Sequence, residues 1–295
     1  MRGFPSRERT GRERSIAAWG SVKFASTLVA LKAVTYFFTG SAGVLGSALD
    51  SILDAAASLL VLVAVAAAER PADADHAWGH GKAESLASLF QSLLILVSGL
   101  GLVYETVRRV LAGSAAVEQP WLGVAVMVAC ALGTLWWTRK LRRAARATAS
   151  PALESDTLHY ASDVLLNGSV VAGLLLTRWL GTPLPDLLVG LGIALLILNT
   201  ARQVFLKAFN NLMDRGLEPA EAAAVLRVVA GFAPRVSGFH DLRTRRSGRD
   251  IFLELHLDLD RSLSFVAAHE LSEQVERAVE DAVPHSTVTV HPDPL

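Results

Sequence analysis

Two pairs of ligand-capable side chains stand four residues apart inside long apolar runs. The stretch SALDSILDAAASLL carries Asp50 and Asp54, and LHYASDVLLNG carries His159 and Asp163. Residues i and i+4 of a helix share a face, so each pair forms a two-pronged arm. Three carboxylates and one imidazole complete a four-coordinate oxygen and nitrogen set for a divalent cation such as Zn²⁺. A carboxylate deep in a bilayer costs about 2.5–3.5 kcal/mol even on a lenient insertion scale. Unrelated hydrogen-bonding spots would leave that cost unanswered in two separate runs, whereas one cation answers both. With no metal present, clustered carboxylates repel and burial disfavours their charged forms, so some take up protons. Imidazole also titrates near neutrality. Metal entry must then expel protons and metal release must readmit them, which is proton–metal exchange.

Two further clusters have the same chemistry in more polar surroundings. The link ERPADADHAWGHGKAES offers Asp73, His76 and His80 within one short loop, where Gly79 and Gly81 imply a flexible backbone. Its plain alternative is a solvated loop. The last third supplies His240, His256, His269, His291 and Asp293 on different elements, so only folding could unite them. Each alone reads as an ordinary surface or core histidine. Together they leave only His285 of the chain's 8 histidines outside a candidate metal site. The single cysteine, Cys130, excludes an internal disulfide framework and any multi-thiolate site.

The elements that must hold these arms are legible in the hydropathy. The 295 residues are 52% hydrophobic with a mean hydropathy of +0.38, too apolar for an ordinary soluble domain. Six runs, near 16–38, 43–67, 84–107, 120–138, 157–179 and 186–208, are long enough to cross a bilayer as helices. The first is too long for a signal-peptide core, so it is expected to stay. Arginines crowd the stretch before the first run and the stretch after the fourth, from Arg139 to Arg146. The links FTGSAG and LGTPLPD are nearly uncharged. The positive-inside rule then puts both termini in the cytoplasm, with Arg108 and Arg109 counting mildly against. A net charge of zero and a pI near 7.1 argue against a nucleic-acid partner.

After Asp214 the pattern becomes helix, two strands, helix, strand. Clean alternation from Phe252 to Leu257 marks the second strand. That αββαβ order suits a small two-layer α+β domain. The expected domains are a basic tail over 1–15, disordered near anionic lipid, a six-helix membrane domain over 16–208, and a cytoplasmic domain over 209–295 that carries the last group of candidate metal ligands.

With DSxxD in the second run, HYxSD in the fifth, a HAWGHGKAES loop and HDLRTRRSG near the C-terminus, the chain resembles the cation diffusion facilitator family, and within it the bacterial zinc, cadmium and ferrous-iron exporters. The resemblance spans about residues 16–294. It implies a homodimeric metal/proton antiporter of the bacterial inner membrane, not an enzyme, with a ferredoxin-like cytoplasmic domain. Zn²⁺ is the implied cargo, with Cd²⁺ and Fe²⁺ as alternatives and protons as counter-ion. Asp50, Asp54, His159 and Asp163 match the family's transport site, and Asp73, His76 and His80 its loop site. His240, His256, His269, His291 and Asp293 match a binuclear site between cytoplasmic domains. Lys82 and Asp214 match an intersubunit charge interlock, and Leu158 an apolar gate. The bland readings of these last three are a snorkelling lysine, a helix-end acid and lipid-facing packing. Pro292, where close relatives carry a polar residue, removes a backbone donor and puts the coordination beside it in question.

Two other functions meet the sequence less well. An intramembrane zinc hydrolase needs an open water position and a general base, but no HExxH is present and the membrane ligand set is already full. A metal sensor that does not transport would need only the cytoplasmic clusters, leaving the buried Asp/His set without a task.

Overall fold

The computed structural model describes residues 7–39, 42–112, 121–180 and 184–295. The first six residues and parts of the links FTGSAG and LGTPLPD lie outside the described residues. Six long helices come first: α1 (Arg7–Thr39), α2 (Ala42–Ala68), α3 (Lys82–Ala112), α4 (Trp121–Thr148), α5 (Pro151–Leu180) and α6 (Leu184–Leu212). Then follow α7 (Pro219–Ala230), β1 (Gly238–Ser247), β2 (Asp250–Leu259), α8 (Phe265–Ala282) and β3 (Ser286–Pro294). The described chain divides into two units, one of residues 7–70 and 83–209, the other of residues 71–82 and 210–295.

In the helical unit the usual distribution of side chains is inverted. Small and polar residues fill its interior, among them Ala18, Ala57, Ser21, Ser58, Ser88 and Gln91. Large apolar residues face outward, including Leu49, Leu53, Leu59, Val97, Leu100, Leu188 and Leu195. Small interfacial residues let helices approach closely where lipid, not water, surrounds them. A Cβ on Gly20 of α1 would meet the Trp137 ring of α4 at 2.4 Å, so glycine is what permits that contact. One buried cluster joins Ala18, Val61, Val65, Trp137, Leu141, Leu153 and Tyr160 from α1, α2, α4 and α5. A second joins Ile95 and Leu102 of α3 to Ala194, Ile197 and Val204 of α6. Among the described residues four helices are long and apolar enough to cross a membrane: those containing 11–38, 47–68, 82–108 and 187–212.

The basic tail departs from expectation. Disorder was expected over 1–15, but α1 already begins at Arg7. The reason is a buried pairing: Arg14, 4% exposed, donates to Glu84 of α3 at 2.5 Å and lies 3.8 Å from Glu69. Glu84 also accepts from the Ser150 hydroxyl and, at 3.4 Å, from the Ala152 amide at the start of α5. A buried carboxylate needs such partners, and they draw the tail into the helix bundle.

The second unit has its own core. Val225 and Val229 of α7 and Leu271, Val275 and Val279 of α8 cover Ile251, Leu253, Leu255, Leu257 and Leu259 of β2. The sheet order is β1-β2-β3, with β1 antiparallel and β3 parallel to β2. A parallel neighbour needs a crossover, and α8 supplies it. Ser264 caps α8 by accepting from the Ala267 amide at 3.2 Å.

Residues 71–82, the link between α2 and α3, group with this second unit. The Arg245 guanidinium of β1 lies 3.8 Å from the Trp78 ring centroid, and Phe252 of β2 meets Trp78 edge-on at 5.1 Å. A Cβ on Gly81 would strike the Ser247 carbonyl at 2.4 Å, so only glycine lets the link lie this close to the β1–β2 hairpin.

Candidate metal centre

In the helical unit, α2 and α5 bring Asp54, His159 and Asp163 together, with donor atoms all within 4.8 Å of one another. The His159 Nε2 atom lies 3.2 Å from Asp54 Oδ1 and 4.0 Å from Asp163 Oδ2. The histidine side chain is 5% exposed and the two carboxylates are about one-fifth exposed, so the cluster is largely enclosed. His159 Nδ1 and Asp163 Oδ2 are buried without a hydrogen-bond partner among the described residues. Unsatisfied buried polar atoms are uncommon, and an ion is among the things that account for them. The donor set, carboxylate oxygen with imidazole nitrogen, fits a borderline divalent cation. Asp50, one turn before Asp54 on α2, is exposed and stands outside the compact set of three. Leu158, beside His159, is partly buried against the α3–α6 cluster.

A shell of buried polar groups surrounds these ligands. Asp156, three residues before His159, accepts from the Ser21 hydroxyl at 2.7 Å and the Gln91 amide at 3.1 Å. Trp137 Nε1 donates to Ser21 Oγ at 3.3 Å, and the Tyr160 hydroxyl pairs with Ser58 Oγ at 2.9 Å. These contacts fix the rotation of α5 against α1, α2 and α3, and therefore the aim of His159. Sequence reasoning missed Asp156, because the apolar run was started one residue after it. Its signal was there, since i−3 shares a helix face with His159.

The loop cluster is compact too. Asp73 Oδ1 lies 3.2 Å from His76 Nδ1, and Asp73 Oδ2 lies 3.4 Å from His80 Nε2. The two imidazoles are 4.4 Å apart, centroid to centroid. Asp73 Oδ1 also accepts from the backbone amides of Asp75 and His76 at 3.1 and 2.7 Å, an Asx turn that shapes the loop. The His76 amide, foremost, holds the Asp73 carboxyl below the usual aspartate range. His80 Nδ1 is buried with no hydrogen-bond partner among the described residues.

On the sheet, strand register does the assembling. His240 of β1 pairs with His256 of β2, which pairs with His291 of β3, so three imidazoles stand in a row across three strands. Their ring centroids are 5.1 and 4.8 Å apart. Asp293 lies within 2.8 Å of His256 Nδ1, 3.2 Å of His291 Nε2 and 3.3 Å of His240 Nε2. The hydrogen bond from His256, before any other influence, holds its carboxyl below the usual range. Pro292 sits opposite Leu257 on β3, a strand with a partner on one side only among the described strands. An edge strand tolerates the missing donor, and alternation puts His291 and Asp293 on one face across it. Asp258 is an addition that sequence reasoning did not make: its Oδ1 lies 3.1 Å from His240 Nδ1. Two residues after His256 on a strand, it shares that residue's face. His269 is placed apart, exposed on α8 and 3.5 Å from Glu273.

Lys82 and Asp214 meet within the single chain, Nζ to Oδ1 at 3.0 Å, and Lys82 also donates to the Leu212 carbonyl at 3.3 Å.

Comparison with known proteins gives the family. The family description "Cation efflux transmembrane domain" matches residues 19–213. The chain belongs to the cation efflux, or cation diffusion facilitator, family. Residues 217–295 match "Cation efflux protein, cytoplasmic domain". The chain is 40% identical over 284 residues to the cation-efflux pump FieF of Cronobacter sakazakii, covering 96% of this chain and 94% of that one. The FieF pump of Salmonella schwarzengrund is 39% identical over the same shares. Among solved structures, the metal-bound C-terminal domain of the CzcD transporter from Thermotoga maritima is 26% identical, with 26% of this chain and 94% of that one covered at a TM-score of 0.25. Membership makes this chain a membrane transporter of the cation-efflux class, with the family's cytoplasmic domain.

Proposed function

We propose that this efflux protein exports Zn²⁺, and chemically similar Cd²⁺ and Fe²⁺, from the cytoplasm in exchange for protons. The observation that carries the reading is the enclosed Asp54–His159–Asp163 cluster on α2 and α5. Two carboxylates and an imidazole on facing helices bind a divalent cation when loaded, and protons take its place as counter-charge when the cation leaves. Alternating access would expose this cluster to one side and then the other. Asp50 would swing in as fourth ligand, and Leu158 would act as an apolar gate beside it.

The fuller arrangement belongs to the same proposal. It has six transmembrane helices over 16–208, both termini in the cytoplasm of a bacterial inner membrane, and a ferredoxin-like cytoplasmic domain over 209–295 that joins two copies. The loop trio would bind a regulatory ion. The sheet cluster, with His269, would hold two ions at the dimer interface, where cytoplasmic metal favours the productive dimer by binding it more tightly than the alternative. Lys82 and Asp214 would lock the subunits near the membrane surface.

Reconstituted in liposomes with an imposed pH gradient and a metal panel, the protein should move Zn²⁺ in step with proton counter-flow. Asp54→Ala should abolish the flux while leaving the dimer intact. Metal movement indifferent to the pH gradient would refute the exchange, and flux surviving Asp54→Ala would refute the site.

A further inference from the structure

A buried positive charge lies beside the transport site. Lys32, in the apolar half of α1, is 8% exposed. A lysine in a membrane helix ordinarily snorkels its ammonium outward to the headgroups. This one reaches sideways to α2, donating to the Ser47 carbonyl at 3.1 Å and the Ser51 hydroxyl at 2.7 Å. Ser47 and Ser51 flank Asp50, three residues before it and one after, so the ammonium lies along the turn that carries Asp50. Its hydrogen-bond partners among the described residues are neutral, and the acidic residues of α2 are Asp50 and Asp54 alone.

Counting charge shows what the lysine supplies. Three ionised carboxylates, Asp50, Asp54 and Asp163, carry one negative charge more than a divalent cation answers. Lys32 provides the missing positive charge. A fixed cation also repels an incoming one, and in low-dielectric surroundings that repulsion is large. The open position of Asp50, outside the compact trio, is where the two cations would contend.

Resting on the transport reading above, we infer that Lys32 is the resident counter-ion of the transport site, competing with the divalent cation for Asp50 and thereby limiting how tightly the cation is held. Ser51 is its tether: it holds the ammonium on the α2 backbone beside Asp50 and limits how closely it approaches the carboxylate. A transporter must release what it binds, and a built-in competitor shortens the residence of the cargo. Among the described residues Lys32 bonds to Ser47 and Ser51 rather than to the compact trio, so it is a positioning residue.

The test is equilibrium Zn²⁺ binding by the full-length protein carrying Asp73→Ala and His256→Ala, which leaves the transport site to dominate the signal. It is run at pH 8, where proton competition is weakest. Lys32→Gln should bind Zn²⁺ at least fivefold more tightly than its parent, and Lys32→Arg should stay within twofold. A merely structural lysine predicts the opposite sign, because a loosened α1–α2 contact would weaken the site. Ser51→Ala, a small change at a packed position, keeps the charge but frees it, and should weaken Zn²⁺ binding at least threefold. Unchanged or weaker binding in Lys32→Gln overturns the inference; if that variant does not fold, unchanged binding in Ser51→Ala does so. Zinc binding indifferent to Asp54→Ala would instead remove the transport-site reading itself, so the two failures are told apart.

Discussion

At the scale of single residues, the imidazole of His159 is the one nitrogen donor of the Asp54–His159–Asp163 cluster, and in the proposed transport site its softness would set metal preference. His159→Asp would leave an all-oxygen set. The expected outcome is a broadened profile, with Mn²⁺ or Cd²⁺ flux rising relative to Zn²⁺ in the liposome metal panel; an unchanged profile would count against His159 as the selecting ligand. His159 and Asp163 could be read in the sequence because charged and aromatic-nitrogen side chains at i and i+4 interrupt an apolar run, where nothing bland explains them. Lys32, Asp156 and Glu84 share that setting but were not singled out. Their partners, Ser51, Ser21, Gln91 and Arg14, are brought to them by helix packing, which periodicity does not report. Asp258 was missed for a related reason: its role depends on His240, which reaches it only through the pairing of β1 with β2.

Among the elements, the link between α2 and α3 owes its shape to contacts with the sheet. Trp78, about half exposed, is held by Arg245 on one side and Phe252 on the other. A cation–π contact at a partly exposed position contributes about 0.5–1 kcal/mol, and an aromatic pair about as much again. Trp78→Ala should therefore loosen the Asp73–His76–His80 loop. Its zinc affinity, measured with the other sites disabled, should fall roughly 3–10-fold, and Trp78→Phe should recover most of the loss. Equal affinity in all three proteins would show that the loop is shaped by Asp73's turn alone. Helix and strand positions were well anticipated from hydropathy and alternation; the six long helices fall where six apolar runs were placed. The exceptions are the polar ends. Helix α1 extends back to Arg7 and α4 on to Thr148, since basic residues form helix readily but carry no apolar signal.

For the whole molecule, division into two units has a thermodynamic corollary. The core of Val225, Leu253, Leu255, Leu271 and Val275 is contained between residues 217 and 290. A fragment of residues 215–295 should thus unfold cooperatively without the membrane part. Zinc at about 100 times its dissociation constant adds about 2.7 kcal/mol, raising the melting temperature of so small a domain by roughly 10–20 °C. His256→Ala, at the centre of the imidazole row, should abolish the rise in calorimetry; a zinc shift that survives it would place the ion elsewhere. Asp293, with its carboxyl held low, stabilises the metal-free fold at pH values above the ordinary aspartate range. That support disappears only as pH falls through its lowered value. The membership of residues 71–82 in the second unit also bears on how such proteins recombine. A chimaera exchanging only 210–295 with a relative would pair Trp78 of one lineage with position 245 of another. The heritable module is thus discontinuous in the gene: the short link and the distant C-terminal segment must change hands together, or change in step, for the graft to hold.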